Sequence, residues 1–171
     1  MRYEYCPLCG EKTQLRQLGD EGDVPWCEGC GRPVFDGFAV CVLSVVVSGE
    51  EICLIRQSYG DTSKYVGVAG YVKCGETAEE AACREVQEEI GIVPESVRFL
   101  SSHFYQGRDQ LMLGFLARVK KQELRISGEL CEARWFSARE AEKTVRQGSI
   151  IHKLVIEAVK LIEEGQENES Q

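Results

Sequence analysis

The chain has 171 residues, 43% hydrophobic and 28% charged. That is enough for one ordinary domain plus a small module, and it is the composition of a soluble globular protein. Its formal net charge of −8 speaks against a protein that coats nucleic acid, which needs clustered Lys and Arg. No apolar run is long enough to span a bilayer, and the first ten residues lack the apolar stretch of a signal peptide. A cytoplasmic protein is expected.

In chain order, residues 1–37 are rich in Gly, Cys, Pro and charge, with no sustained periodicity. Cys6-Pro7-Leu8-Cys9 and Cys27-Glu28-Gly29-Cys30 form two C-x2-C pairs seventeen residues apart, each followed by a glycine. Four thiolates at that spacing can close a tetrahedron around Zn²⁺. The site is expected to be structural, because four cysteines leave no open position for catalysis. The five remaining cysteines stand in apolar or helical contexts and read as small packing residues.

The composition shifts at Phe38. Apolar runs predict strands near 38–48, 51–57, 66–72, 97–104, 111–119 and 132–136, with helices near 78–90, 138–147 and 150–164. Thr77 with Glu80, and Ser137 with Glu140, make two capping boxes, and Gly91 closes the first helix. Ile150, Leu154, Ala158, Leu161 and Ile162 form a core-facing stripe on the last helix. The polar residues 166–171 read as a disordered tail. The expected organisation is a zinc ribbon at 1–37 and an α/β (α+β) domain at 38–165 with its sheet between helices.

The stretch richest in chemistry is the helix at 78–90 and the glycine-rich loop before it. Glu85, Glu88 and Glu89 fall within an arc of about 100°. Such a cluster is either a solvated acidic face or a site for a hard divalent cation such as Mg²⁺ or Mn²⁺. The glycines from Gly67 to Gly75, which let backbone approach a ligand closely, favour the second reading.

Gly70, Glu76, Arg84, Glu85, Val86, Glu88, Glu89, Gly91 and Ile92 fit the pattern G-x5-E-x7-R-E-U-x-E-E-x-G-U, where U is aliphatic. This resembles the signature of the Nudix hydrolase family. The resemblance implies a mixed sheet between helices and metal-assisted hydrolysis of a nucleoside diphosphate linked to another group. It makes Glu85, Glu89 and the Ala69 carbonyl metal ligands, and Glu88 a further ligand or an assisting base. Arg84 is implied to pair with Glu76, holding the loop against the helix. No general base is assigned.

A ribbon followed by this domain resembles, more narrowly, the NADH pyrophosphatase subfamily. Val68-Ala69-Gly70-Tyr71-Val72 is similar to its L-A-G-F-V strand. The segment from Gly128 to Phe136 resembles the one carrying a further metal-binding glutamate, here Glu129. The segment from Gly148 to Leu154 resembles a helix start that contacts the adenine end of the substrate, which places Ile151 there; Phe35 falls where the subfamily has an aromatic residue near the nucleotide. The hallmark S-Q-P-W-P-F-P-x-S is not kept. From Ser102 to Met112 the serine, an aromatic (Tyr105) and the trailing Leu-Met survive, the prolines are lost, and Gly107 and Arg108 enter. His103, Tyr105, Arg108 and Gln110 are the expected substrate contacts in this loop. Lys73 stands where many members carry Glu. The resemblance implies a small nucleotide substrate, NAD(H), ADP-ribose or similar, and a homodimer, with nucleic acid entering only as an NAD-capped RNA end. The alternative is a non-catalytic nucleotide sensor.

Overall fold

The computed structural model describes residues 3–169, and the side chains of residues 165–169 are not described. The chain divides into two compact units, Met1–Phe38 and Ala39–Gln171. The first is a three-stranded antiparallel sheet in the order β1 (Gln14–Gln17), β2 (Asp23–Cys27), β3 (Arg32–Pro33). Cys6–Cys9 turns between the bridged residues Tyr5 and Lys12 and Cys27–Cys30 turns from β2 into β3; Gly10 and Gly31 follow the two pairs with φ of 76° and 63°. Only glycine enters that left-handed region without steric cost. Few of the described residues here are buried: Cys6, Cys27 and Val34 form a cluster, joined only by Thr13 and Val24. A unit with so little apolar core needs another source of stability.

The second unit holds six strands: β4 (Ala39–Ser48), β5 (Glu51–Gln57), β6 (Val68–Tyr71), β7 (Ser96–Tyr105), β8 (Gln110–Arg118) and β9 (Leu130–Ser137). Its sheet runs β7-β8-β4-β5-β9, with β6 paired to β4. The β4–β8 pair is parallel over nine residues and the other pairs are antiparallel, so the sheet is mixed, as expected.

Side-chain alternation on β4 sorts the core. Leu43, Val45 and Val47 join Leu154, Val155, Ala158 and Ile162 of α3 (Ile150–Glu169) and Ala141 of α2 (Ala138–Thr144). Val42 and Val46 face the other way, toward Ala81, Ala82, Val86 and Ile90 of α1 (Ala78–Ile90). The sheet therefore lies between α1 on one face and α2 with α3 on the other.

The ends of α1 are fixed by local chemistry. Thr77 and Glu80 close a capping box, and Gly91 (φ 75°) donates its N–H to the Gln87 carbonyl. The box at Ser137 and Glu140 starts α2. That helix ends at Thr144, three residues before the expected 147, because Val145 turns to an extended backbone and buries its side chain. In the other direction, α3 runs to Glu169, past the expected end at 164 and into the expected tail at 166–171. Residues 170 and 171 lie outside the described residues.

Candidate active site

The loop between β6 and α1 is tied to the helix by one side chain. Arg84 donates from Nε and Nη2 to the two carboxylate oxygens of Glu76 (3.0 and 2.6 Å). It also donates to Glu85, to Glu88 (3.0 Å) and to the Tyr71 carbonyl (3.0 Å). Glu76 in turn accepts the Lys73 N–H at 2.6 Å. The Arg84 guanidinium, followed by the Lys73 N–H, holds the Glu76 carboxyl down at about 2, and the Glu76 carboxylate, with Glu85 and Glu88, pushes Arg84 further up. The pairing of Arg84 with Glu76 expected from the sequence is present.

Behind this brace lies a cleft of about 350 Å³ in which Glu85, Glu88, Glu89 and Glu129 meet Ala69, Tyr59 and Lys73. Each comes from a different constraint. The three helix glutamates share a face through the 3.6-residue repeat. Glu129 arrives on the loop before β9, which is pinned when Ser58 donates N–H and Oγ to the Glu129 carbonyl (2.8 and 2.9 Å). That loop is also held to the end of α1, where Arg125 and Ser127 donate their N–H groups to the carbonyls of Ile90 and Glu89 (both 3.0 Å). Gly70 faces Glu85 so closely that a Cβ there would fall 1.9 Å from the carboxyl carbon.

Glu89 is the unusual member. It is 6% exposed, and its Oε2 has no hydrogen-bond partner among the described residues. Burial, then the charges of Glu85, Glu129 and Glu88, push its carboxyl up to about 8. A buried carboxylate with an unsatisfied oxygen, facing three more carboxylates, is a donor set that suits a hard divalent cation. The carboxylate oxygens are not drawn to one point: among the described residues, the only group of three or more such donors that all lie within 4.8 Å of one another is Cys6, Cys9, Cys27 and Cys30.

Those four thiols form the second candidate metal centre. Their Sγ atoms approach at 3.9 Å (Cys6 to Cys30) and 3.4 Å (Cys9 to Cys27). Four sulfurs 2.3 Å from a tetrahedral zinc would stand about 3.8 Å apart. The Cys9 and Leu8 N–H groups bring Cys6 down to about 7, whereas the neighbouring thiols of Cys9 and Cys27 push Cys30 up to about 12. Four thiolates at this distance need a cation between them.

At Ala69 the cleft borders a larger cavity of about 600 Å³, whose lining includes Gln57, Tyr105, Arg108, Gln110, Arg146 and Ile151. The expected contacts Tyr105, Arg108, Gln110 and Ile151 are thus brought together. Gln110 is buried and donates to the Tyr71 hydroxyl at 2.8 Å. Gly67 accommodates Ile151, since a Cβ would come within 2.7 Å of its Cδ1. His103 lies outside the lining. Its Nε2 sits 3.3 Å from the Ser101 hydroxyl, which donates to Glu157 of α3. Phe35 is an exposed side chain of the first unit, beside Val24, Pro25 and Val34. Sequence reasoning passed over Gln57, Tyr59 and Arg146. Gln57 donates to the Tyr59 hydroxyl (2.9 Å), linking cavity to cleft, and Arg146 enters from the turn before α3.

Residues 37–156 match the NUDIX domain family. The chain belongs to the Nudix family. Among curated Nudix relatives, the NAD-capped RNA hydrolase NudC of Photobacterium profundum is 30% identical over 92% of this chain and 59% of its own length. The NudC of Mannheimia succiniciproducens is 31% identical over 96% of this chain and 64% of its own. The chain therefore spans about three fifths of the length of these relatives. Among solved structures, a NUDIX hydrolase from Nitrosomonas europaea superposes with a TM-score of 0.68 at 21% identity, covering 94% of this chain and 91% of that one. The NUDIX domain of Shewanella oneidensis NrtR complexed with ADP ribose gives 0.58 at 15% identity, covering 78% and 90%. These two likenesses concern the fold. No helix among the described residues is long and apolar enough to cross a membrane.

Proposed function

We infer that the chain hydrolyses a pyrophosphate bond in a nucleoside diphosphate derivative, giving a mononucleotide and a phosphorylated product. The observation that carries this is the buried, unsatisfied Glu89 among Glu85, Glu88 and Glu129 beside a cavity of nucleoside size. Glu85, Glu88, Glu89, Glu129 and the Ala69 carbonyl would hold Mg²⁺ or Mn²⁺, which neutralises phosphate charge and acidifies bound water. The protein's own contribution is positional. Arg84 fixes Glu85 and Glu88 in direction, Gly70 leaves room for the Glu85 carboxylate, and the dry setting of Glu89 favours proton uptake when no cation is near. Tyr105, Gln110 and Ile151 would hold the nucleoside half.

The substrates that fit are NAD(H), ADP-ribose and related compounds. The NudC relatives, named as NAD-capped RNA hydrolases, make a capped RNA end a second reading. Zn²⁺ at Cys6, Cys9, Cys27 and Cys30 is structural, and the protein works in the cytoplasm as a homodimer. The test is turnover of NAD⁺, NADH and ADP-ribose with Mg²⁺, with Mn²⁺ and with chelator. Turnover should require the cation, and Glu89→Gln should lower it about 100-fold or more with an unchanged melting midpoint. Tight nucleotide binding with no turnover in the parent protein would instead make it a sensor.

A further inference from the structure

In a chain of net charge −8, the lining of the 600 Å³ cavity holds two arginines, Arg108 and Arg146, and neither Asp nor Glu. The cleft it borders carries four carboxylates. Charge is thus segregated across the shared residue Ala69. Neither Arg108 nor Arg146 has an ion-pair partner among the described residues, whereas Arg56 and Arg84 are both paired.

The two backbones are held in place by separate means. Arg108 closes a short 3-10 turn completed by Asp109, the one non-glycine described with positive φ (49°). The Asp109 carbonyl accepts the Ala39 N–H at the start of β4 (3.1 Å). The Arg146 carbonyl accepts the hydroxyl and N–H of Ser149 (2.5 and 3.2 Å). The guanidinium groups are left free on anchored turns, reaching one cavity from positions 38 residues apart.

A dinucleotide's own pyrophosphate is accounted for at the carboxylate cleft, where cations offset its charge. Two unpaired guanidinium groups in the cavity for the organic half have no such anion to meet. Guanidinium is the side chain best shaped for a phosphate's oxygens. We propose that Arg108 and Arg146 form a second anion subsite, which takes a phosphate monoester or diester carried by the half of the substrate that enters the cavity. The assignment rests on the cavity being the substrate's, as above, and adds that preferred substrates bear a further phosphate.

Binding at equilibrium without added divalent cation separates this from the chemistry. The probes are NAD⁺, NADP⁺ and a short RNA carrying a 5′ NAD cap, titrated calorimetrically into the full chain. NADP⁺ or the capped RNA should bind at least tenfold tighter than NAD⁺, about 1.4 kcal/mol. A preference for NADP⁺ identifies a monoester and one for the RNA a diester. Arg108→Gln and Arg146→Gln should each collapse that ratio to about threefold or less, while Lys160→Gln, an equal charge change outside the cavity, should leave it intact. Equal affinity for all three probes, or a ratio that survives both arginine variants, overturns the subsite. If the preferred probe binds as expected yet is not cleaved with Mg²⁺ or Mn²⁺, the hydrolase reading falls and the subsite stands.

Discussion

Gly70 shows how far a single hydrogen can decide the site. A methyl group there would overlap the Glu85 carboxylate (Oε1 at 2.1 Å, Oε2 at 2.3 Å). Neither neighbour can yield easily, because β6 is paired to β4 through Val42 and Gly70 and Glu85 is held by Arg84. Gly70→Ala should therefore push Glu85 out of the cleft and lower kcat/KM about 100-fold, the cost of an ångström-scale misplacement. Circular dichroism should remain that of the parent. Parent-like kinetics would show that Glu85 does not need its observed position. The box glutamates were legible in the sequence because they follow one another on one helix. Tyr59, Gln57 and Arg146 were not, since only the tertiary fold brings β5, its following loop and the α2–α3 turn to the same opening.

At the scale of elements, α1 was readable to the residue. Both its caps are local signals, and local signals do not depend on what the helix packs against. The strands of the ribbon were not readable. They are two to five residues long, joined by a turn at Gly19–Glu21 and by the Cys27–Cys30 turn, without apolar alternation to announce them. The loop before α1 owes its position to Glu76 and Arg84, which gives it a pH signature. The folded-state carboxyl of Glu76 lies at about 2, below its ordinary value of 4.5. The stability it contributes is therefore present above about pH 4.5 and is lost as pH falls toward 2. Glu76→Gln should lower the urea midpoint at pH 7, and the gap from the parent should narrow progressively below pH 4.5. A gap that stays constant from pH 7 to 3 would mean that Glu76 ionisation does not support this loop.

For the whole molecule, stability has two sources. The Ala39–Gln171 unit buries a large aliphatic core on both faces of its sheet, whereas among the described residues of the Met1–Phe38 unit only Cys6, Thr13, Val24, Cys27 and Val34 are buried. Elemental analysis should find about one Zn per chain. Chelation, or Cys27→Ser, should erase dispersed NMR signals from residues 3–38 and leave those of the sheet in place. Protein purified without zinc whose first 38 residues remain dispersed would refute a metal-held unit.

The parallel pairing of β4 with β8 also bears on how the chain reaches this state. Ala39 meets Gln110 and Val47 meets Arg118, so the central ladder joins segments 71 residues apart. Such a closure is entropically late, and domains dominated by distant contacts fold slowly. Until β8 arrives, the run from Val42 to Val47, buried throughout in the finished sheet, has only its antiparallel partners β5 and β6. During synthesis that strand emerges well before its parallel neighbour. The interval in which the nascent chain is most prone to self-association is therefore written into the strand order, and it closes when residue 118 clears the ribosome.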